Sequence, residues 1–171
     1  MIKYSIVIPT YKHLEDCLKP CIESIIKHTN LSEVEVIVVA NGCGDDGTSQ
    51  YIDSLKAPFR LVWLEEPSGY THSTNIGIDI AKGEYIVLLN NDNVITGSNW
   101  LDILRQPFED EMVGITGAAK DYHVPTQTEF LLFFCCMIPR RIFNKFGLLD
   151  EVFNPGYGED IDYCQKLKTL V

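Results

Sequence analysis

The chain lacks most of the features that would place it at once in a specialised class. Its longest apolar run, 130–138, falls far short of the roughly 20 residues needed to span a bilayer. The N-terminal stretch MIKYSIVIPTYK has too short an apolar core for a signal peptide and breaks at Pro9, so a cytoplasmic chain without a transmembrane segment is expected. Basic charge is scarce: 14 Lys plus Arg stand against 24 Asp plus Glu, a formal net charge of −10 with no basic stretch. Such a surface repels phosphate backbones, which excludes nucleic acid as a partner. The six cysteines, at 17, 21, 43, 135, 136 and 164, form no C-x-x-C pair, so neither a zinc or redox motif nor a disulfide framework is expected. Cys17 and Cys21 read as small buried residues of one helix. Adjacent Cys135 and Cys136 read as strand neighbours facing opposite ways. The glycine-rich phosphate loops are missing too. Pro9-Thr10-Tyr11 stands where a G-x-G-x-x-G would follow the first strand, and no G-x-x-x-x-G-K-[ST] occurs, which disfavours a dinucleotide-dependent dehydrogenase and a P-loop NTPase.

What is present is ordinary globular material: 171 residues, 46% hydrophobic and 22% charged, enough for one domain with a real core. Periodicity predicts strands over 4–8, 34–39, 59–64 and 85–89, with helices over 14–27, 48–55 and 73–81 between them. The helix at 14–27 carries Leu14, Leu18, Cys21, Ile22, Ile25 and Ile26 on one stripe. Beyond Asn93 the pattern loosens into a helix over 100–105, a short strand over 113–116, a long apolar strand over 129–138, a short helix over 140–146 and a last helix over 160–170. Alternation of this kind predicts an α/β fold, Rossmann-like, with a mostly parallel central sheet flanked by helices on both faces.

In such a sheet ligands gather at the carboxyl ends of the strands. The polar segments there are Thr10-Tyr11-Lys12, 41–46, 65–72 and 90–93, and they converge on one crevice. Without a glycine-rich loop, a bound diphosphate needs a divalent cation held by oxygen ligands. LLNNDN (88–93) supplies one carboxylate, Asp92, just past an apolar strand where no core role exists for it. A second acidic group lies in GYGEDIDYCQKL (156–167), where Glu159, Asp160 and Asp162 crowd the first turn of a helix. That cluster serves either as N-terminal capping or as a general base, a carboxylate held at a helix start beside a cleft.

The series SIVIPTYK (5–12), VEVIVVANG (34–42), TNIGIDIAKGEYIVLLNNDN (74–93), FLLFFCCMIPRRIFNKFGLLDE (130–151) and GYGEDIDYCQKL (156–167) resembles the family 2 nucleotide-sugar glycosyltransferases over nearly the whole chain. The resemblance implies a GT-A fold, a nucleoside-diphosphate sugar donor, Mn²⁺ or Mg²⁺, and inverting transfer of a hexosyl or deoxyhexosyl group to a glycan or glycoprotein acceptor. It implies that Pro9, Thr10 and Tyr11 lie against the nucleoside and that Asn41 replaces an aspartate accepting the uracil imide proton, with UDP as the donor nucleotide. Ala40 departs from a second aspartate common there. Ser73 and Asn75 fall in the segment that approaches ribose and phosphates, where His72 stands in place of a frequent Arg or Lys. Asn90, Asn91 and Asp92 match a D-x-D-like signature, with Asp92 on the metal and metal affinity dependent on bound donor. Asp160 matches the catalytic base, and Glu159 orients acceptor or donor sugar. Residues 1–95 are then the nucleotide half and 96–171 the acceptor and catalytic-base half, with 122–128 as an acceptor-side loop. Relatives continue with further elements, so the chain is expected to belong to a longer polypeptide with further domains.

Two other readings stay open at this point. A sugar-phosphate nucleotidyltransferase shares the sheet and metal-bound nucleotide but would open with an Arg- and Lys-bearing glycine loop, unlike IPTYK. A nucleotide-sugar-binding or interaction domain that has lost catalysis does not need Asp160. His13, His28 and His123 read as surface residues, no two at metal-ligand spacing. Trp63 and Trp100 read as core or rim aromatics, and Arg140-Arg141 as the cap of a surface helix.

Overall fold

The computed structural model describes residues 2–118 and 128–168. The expected loop at 122–128 (Thr128 apart), His123 and the last residues of the predicted helix over 160–170 lie outside that range. Four β-branched segments form parallel strands: β1 (Tyr4–Thr10), β2 (Val34–Asn41), β3 (Phe59–Leu64) and β4 (Tyr85–Leu89). Between them run α1 (Lys19–His28), α2 (Thr48–Ser54) and α3 (Tyr70–Ile80). The second half adds α4 (Trp100–Arg105), β5 (Thr116–Gly117), β6 (Cys135–Pro139), α5 (Arg140–Phe146) and α6 (Glu159–Lys168). The sheet order is β3-β2-β1-β4-β6-β5. β1 pairs in parallel with both β2 and β4, Ile6 facing Val36 on one side and Val87 on the other. β6 runs antiparallel to β4, with Leu88 opposite Cys136, and β5 antiparallel to β6.

Strand alternation sends side chains to two cores. On one face Ile6, Ile8, Val36, Val38, Leu89, Cys135 and Met137 pack under Leu18, Ile22 and Ile25, with Ile52 and Leu101. On the other Val7, Ile37, Val39, Leu88, Cys136 and Ile138 pack against Ile78 of α3, Phe143 of α5 and Tyr163 of α6. Cys135 and Cys136 thus do face opposite ways, and all six cysteines are free. Helices cover both faces, as a buried parallel sheet requires. α3 comes so close to β1 that a Cβ at Gly77 would overlap Val7. Among the described residues no helix is long and apolar enough to cross a membrane.

Several boundaries differ from the sequence reading. The helix expected over 14–27 is split: Leu14–Leu18 is a π-helical turn and the α-helix starts at Lys19. Pro20 has no N–H to give to a carbonyl one turn back, so the first turn cannot continue as a regular helix. The long strand expected over 129–138 is ordered into the ladder only from Cys135. Its partner β4 ends at Leu89, opposite Cys135. Beyond that point the Phe134 carbonyl is taken by Asn90 N at 2.9 Å and Asn93 Nδ2 at 3.0 Å instead of by a strand. Of the strand expected over 113–116 only Thr116 enters β5. Arg140 heads α5, but its guanidinium donates to the Gly83 and Ala81 carbonyls (2.8 and 2.6 Å) and so closes the C-terminal end of α3.

Candidate active site

The strand order reverses between β1 and β4, and the crevice at their carboxyl ends is where this architecture leaves room for a ligand. A cleft of about 760 Å³ opens there. Pro9 and Thr10 of β1 with Tyr11 just after it, Asn41 of β2, Gly69 before α3 with Tyr70 and Ser73 in it, Asn90, Asn91 and Asp92 after β4, and Pro155 line it. Asn91 Nδ2 donates to Thr10 Oγ1 at 2.8 Å, a bond that spans the two strand ends. The turn after β4 is held by its asparagines: Asn93 Nδ2 donates to the Asn90 carbonyl at 3.1 Å. Asp92 is exposed, with Oδ1 accepting a long bond from Asn93 Nδ2 at 3.4 Å, and the rest of its carboxylate faces the cleft that it lines. Asn90 contributes a carboxamide oxygen that is buried and has no hydrogen-bond partner. Carboxylate and amide oxygens are the donors that hard divalent cations select, so Asp92 and Asn90 fit Mn²⁺ or Mg²⁺.

Asn41 and Asn75 are committed elsewhere within the protein. Asn41 Oδ1 accepts from Ser68 N (2.7 Å) and Ser68 Oγ (3.0 Å), while its Nδ2 donates to the Gly69 carbonyl (3.3 Å). Both lone pairs of that oxygen are used in bracing the turn into α3, so it meets a nucleobase only by exchanging a Ser68 contact. Asn75 does not line the cleft. It is buried and clamps Leu149, donating to its carbonyl at 2.9 Å and accepting from its N–H at 3.1 Å. Ser73 Oγ, 2.8 Å from the Gly69 carbonyl, closes the first turn of α3.

α3 begins at Tyr70, three residues before the expected start, because its N-terminal N–H groups are satisfied by a distant segment. Tyr70 N donates to the Pro155 carbonyl at 2.7 Å and His72 N to Asn154 Oδ1 at 3.2 Å. His72 Nδ1 also meets Glu151 Oε2 at 2.9 Å. Gly69 permits the approach: its φ is +86°, and a Cβ there would stand 2.6 Å from Asn154 Oδ1. The same segment then bends through three positive φ values, Gly156 (156°), Tyr157 (79°) and Gly158 (105°). Tyr157 is strained in that conformation and 95% exposed.

The bend delivers Glu159 and Asp160 to the start of α6. Neither lines the cleft; Tyr70 connects them to it. It lines the cavity, and its hydroxyl donates to the Phe133 carbonyl at 3.2 Å. Burial pushes the Tyr70 hydroxyl pKa far up, helped by the nearby Cys136 thiol and by the charges of Glu159 and Asp160. Glu159 is buried and its Oε2 has no partner. Burial first, then the charge of Asp160, raises its pKa above the ordinary carboxyl value. Asp160 is half-buried, one oxygen accepting from Ile161 N at 2.7 Å.

Residues 5–147 match the model of glycosyl transferase family 2. The chain belongs to glycosyl transferase family 2. Its relatives include the uncharacterized protein y4gI of Sinorhizobium fredii, 26% identical over 96% of this chain and 22% of that protein. Another is the glycosyltransferase GlyG of Streptococcus pneumoniae, 29% identical over 63% of this chain and 35% of the relative. The chain therefore spans about a fifth of the first of these relatives and a third of the second. Among solved structures, residues 1–349 of S. aureus TarS, also solved with UDP and with UDP-GlcNAc, superpose with a TM-score of 0.75 at 19% identity, over 97% of this chain and 55% of that TarS chain. The mannosyltransferase PcManGT of Pyrobaculum calidifontis, in complex with GDP-Man and Mn²⁺, reaches 0.77 at 19% identity over 96% and 51%. At these identities the likeness shows the GT-A fold.

Several residues lining this family 2 cleft were given no role by the sequence reading. Tyr70 gives no local signal, since its partners lie 63 residues away and beyond. His13, Asp16 and Cys17 also line the cleft. Their signal in the sequence is a mixed His, Asp and Cys trio at i, i+3 and i+4. Lys12 and His13 are both left-handed, with φ of 57° and 58°. His13 Nδ1 meets Asp16 Oδ2 at 3.0 Å, a bond that lowers the Asp16 pKa.

Proposed function

We propose that this chain is the donor-binding and catalytic core of a metal-dependent inverting glycosyltransferase. It moves a hexosyl or deoxyhexosyl group from a nucleoside-diphosphate donor, UDP, to a hydroxyl of a glycan or glycoprotein acceptor in glycan biosynthesis. The carrying observation is the cleft at the β1/β4 strand ends, where the Asn91–Thr10 bond ties the two strand ends together and the exposed Asp92 carboxylate lines the cavity. The TarS structures with UDP and UDP-GlcNAc and the PcManGT complex with GDP-Man and Mn²⁺ support a nucleotide-sugar ligand.

In this reading Pro9, Thr10 and Tyr11 hold the nucleoside, and Asn41 and Ser73 keep the Ser68–Gly69 turn and the start of α3 in shape beside it. Asp92, with the Asn90 amide oxygen, would hold Mn²⁺ or Mg²⁺, whose charge stabilises a departing diphosphate. Metal affinity then rises when the donor supplies phosphate oxygens. Asp160 takes the proton of the attacking hydroxyl while the acceptor oxygen forms its bond to the anomeric carbon and the bond to the diphosphate oxygen breaks. Glu159, whose pKa burial raises above the ordinary carboxyl value, orients the acceptor or donor sugar. That difference in environment separates the two acids into two roles. Residues 1–95 serve the donor and 96–171 the acceptor and base, within a longer cytoplasmic polypeptide whose further domains meet the acceptor.

The test is turnover of a UDP-sugar panel with Mn²⁺ and a glycan acceptor mixture, read as UDP release and by NMR of the new anomeric linkage. Asp160→Asn should lower transfer by about 10²–10⁴-fold while donor affinity stays within threefold. Unchanged transfer by Asp160→Asn, or retention of anomeric configuration, would overturn the assignment.

A further inference from the structure

We propose that His13, Asp16 and Cys17 form a binding site for a thiophilic divalent cation, Zn²⁺ before others, in the cleft wall and distinct from the Asp92 position. The three side chains offer one nitrogen, one carboxylate oxygen and one sulfur, all within 4.8 Å of one another. A tetrahedral zinc ion with ligands at about 2.0–2.3 Å places its ligand atoms roughly 3.3–3.7 Å apart. His13 and Asp16 are more than half exposed, so rotation about their own side-chain bonds closes the difference. Three protein ligands and one open position is the pattern of zinc sites that keep a water.

The local backbone is built to gather these groups. Leu14 and Leu18 are buried and anchor the π-helical turn, whose first carbonyl, that of His13, accepts from both Cys17 N and Leu18 N at 3.1 Å. Short π-helical turns recur at functional sites. The left-handed conformation at His13 accompanies a ring turned back toward the carboxylate of Asp16. Lys12 N, directed at Cys43 Sγ at 3.4 Å, tethers the preceding loop. Cys17 and Asp92 both line the cleft, so the two cation positions share one cavity while differing in chemistry. The thiolate and imidazole favour Zn²⁺ or Co²⁺, whereas the oxygen-only set at Asp92 favours Mn²⁺ or Mg²⁺.

The experiment uses the purified chain without nucleotide, so its outcome is independent of the glycosyl-transfer reading. Zn²⁺ is titrated calorimetrically in a non-chelating buffer, and Co²⁺ is followed by its tetrahedral visible bands and by thiolate-to-cobalt charge transfer. One equivalent should bind with the charge-transfer band present and persist in excess Mn²⁺. Cys17→Ser and His13→Ala should each weaken Zn²⁺ binding by at least about tenfold and keep a parental melting profile, while Asp92→Asn should shift it by less than threefold. Absence of zinc binding would overturn the proposal. So would a cobalt complex without the sulfur band, or undiminished affinity in Cys17→Ser, which would place the metal on another cysteine.

Discussion

Replacing Asn75 by alanine separates a structural tie from a ligand contact. The side chain is buried on α3 and satisfies both backbone groups of Leu149, a residue that is itself only 3% exposed. It also donates to Glu151 Oε1 at 3.1 Å. Removal leaves a buried N–H and a buried C=O without partners, each costing about 1–3 kcal/mol. Allowing for partial access of water to the vacated space, the loss is about 2–4 kcal/mol, or roughly 5–15 °C in Tm for a domain of this size. Calorimetry at neutral pH measures the shift, and titration with UDP and Mn²⁺ below the transition measures the cleft. Since Asn75 does not line the cavity, affinity for UDP should change less than about threefold. Asn75→Asp should destabilise at least as much, because a carboxylate would face the Leu149 carbonyl and Glu151. A Tm within about 2 °C of the parent together with a tenfold loss of UDP affinity would refute this reasoning and return Asn75 to the ligand.

Two further outcomes concern buried acids. Burial opposes ionisation of Glu35, but bonds from Ser5 Oγ, the Lys82 amide and Arg60 outweigh it and hold the pKa below the ordinary value. A depressed carboxyl stabilises the fold above its unfolded pKa of about 4.3 and loses that contribution as pH falls through the lower folded value. Glu35→Gln should therefore lower Tm at pH 7, with the gap to the parent narrowing below about pH 4; a gap constant with pH would contradict the assignment. Glu159 has the opposite sign, its pKa being raised by burial, so its ionised form weakens the fold as pH rises through the window above the unfolded value. Glu159→Gln should raise Tm at neutral pH, and the gain should vanish in acid; a lower Tm at neutral pH would contradict it.

Much of the sheet is legible because buried parallel strands are written locally, as in the β-branched run of β2 and the apolar run of β4. The limits of the elements are less legible where a distant partner decides them. β6 starts at Cys135 because β4 ends opposite it, and α3 starts at Tyr70 because Asn154 and Pro155 cap it from more than 80 residues away. The break before α1 was written in Pro20 and is a matter of a missing N–H. At the cleft, strand-end position was enough to gather Thr10, Asn41, Asn90, Asn91 and Asp92, since topology carries them there. It was not enough for Asn75, whose helical face turns to Leu149, nor for Tyr70, whose role depends on the deep end of its side chain. Asn41 shows the same limit at finer scale, because Ser68 occupies the oxygen that the sequence assigns to a base.

A thermal-shift panel of nucleotide sugars, run with Mn²⁺ and again with chelator, tests the central claim most directly, because a ligand that binds only the folded state raises Tm by mass action. At a hundredfold excess over Kd the stabilisation is about 2.7 kcal/mol, roughly 5–11 °C for a chain of this size. The account predicts such a shift with a UDP-sugar and Mn²⁺, lost in chelator and in Asp92→Asn. No shift with any nucleotide sugar under either metal condition would contradict it.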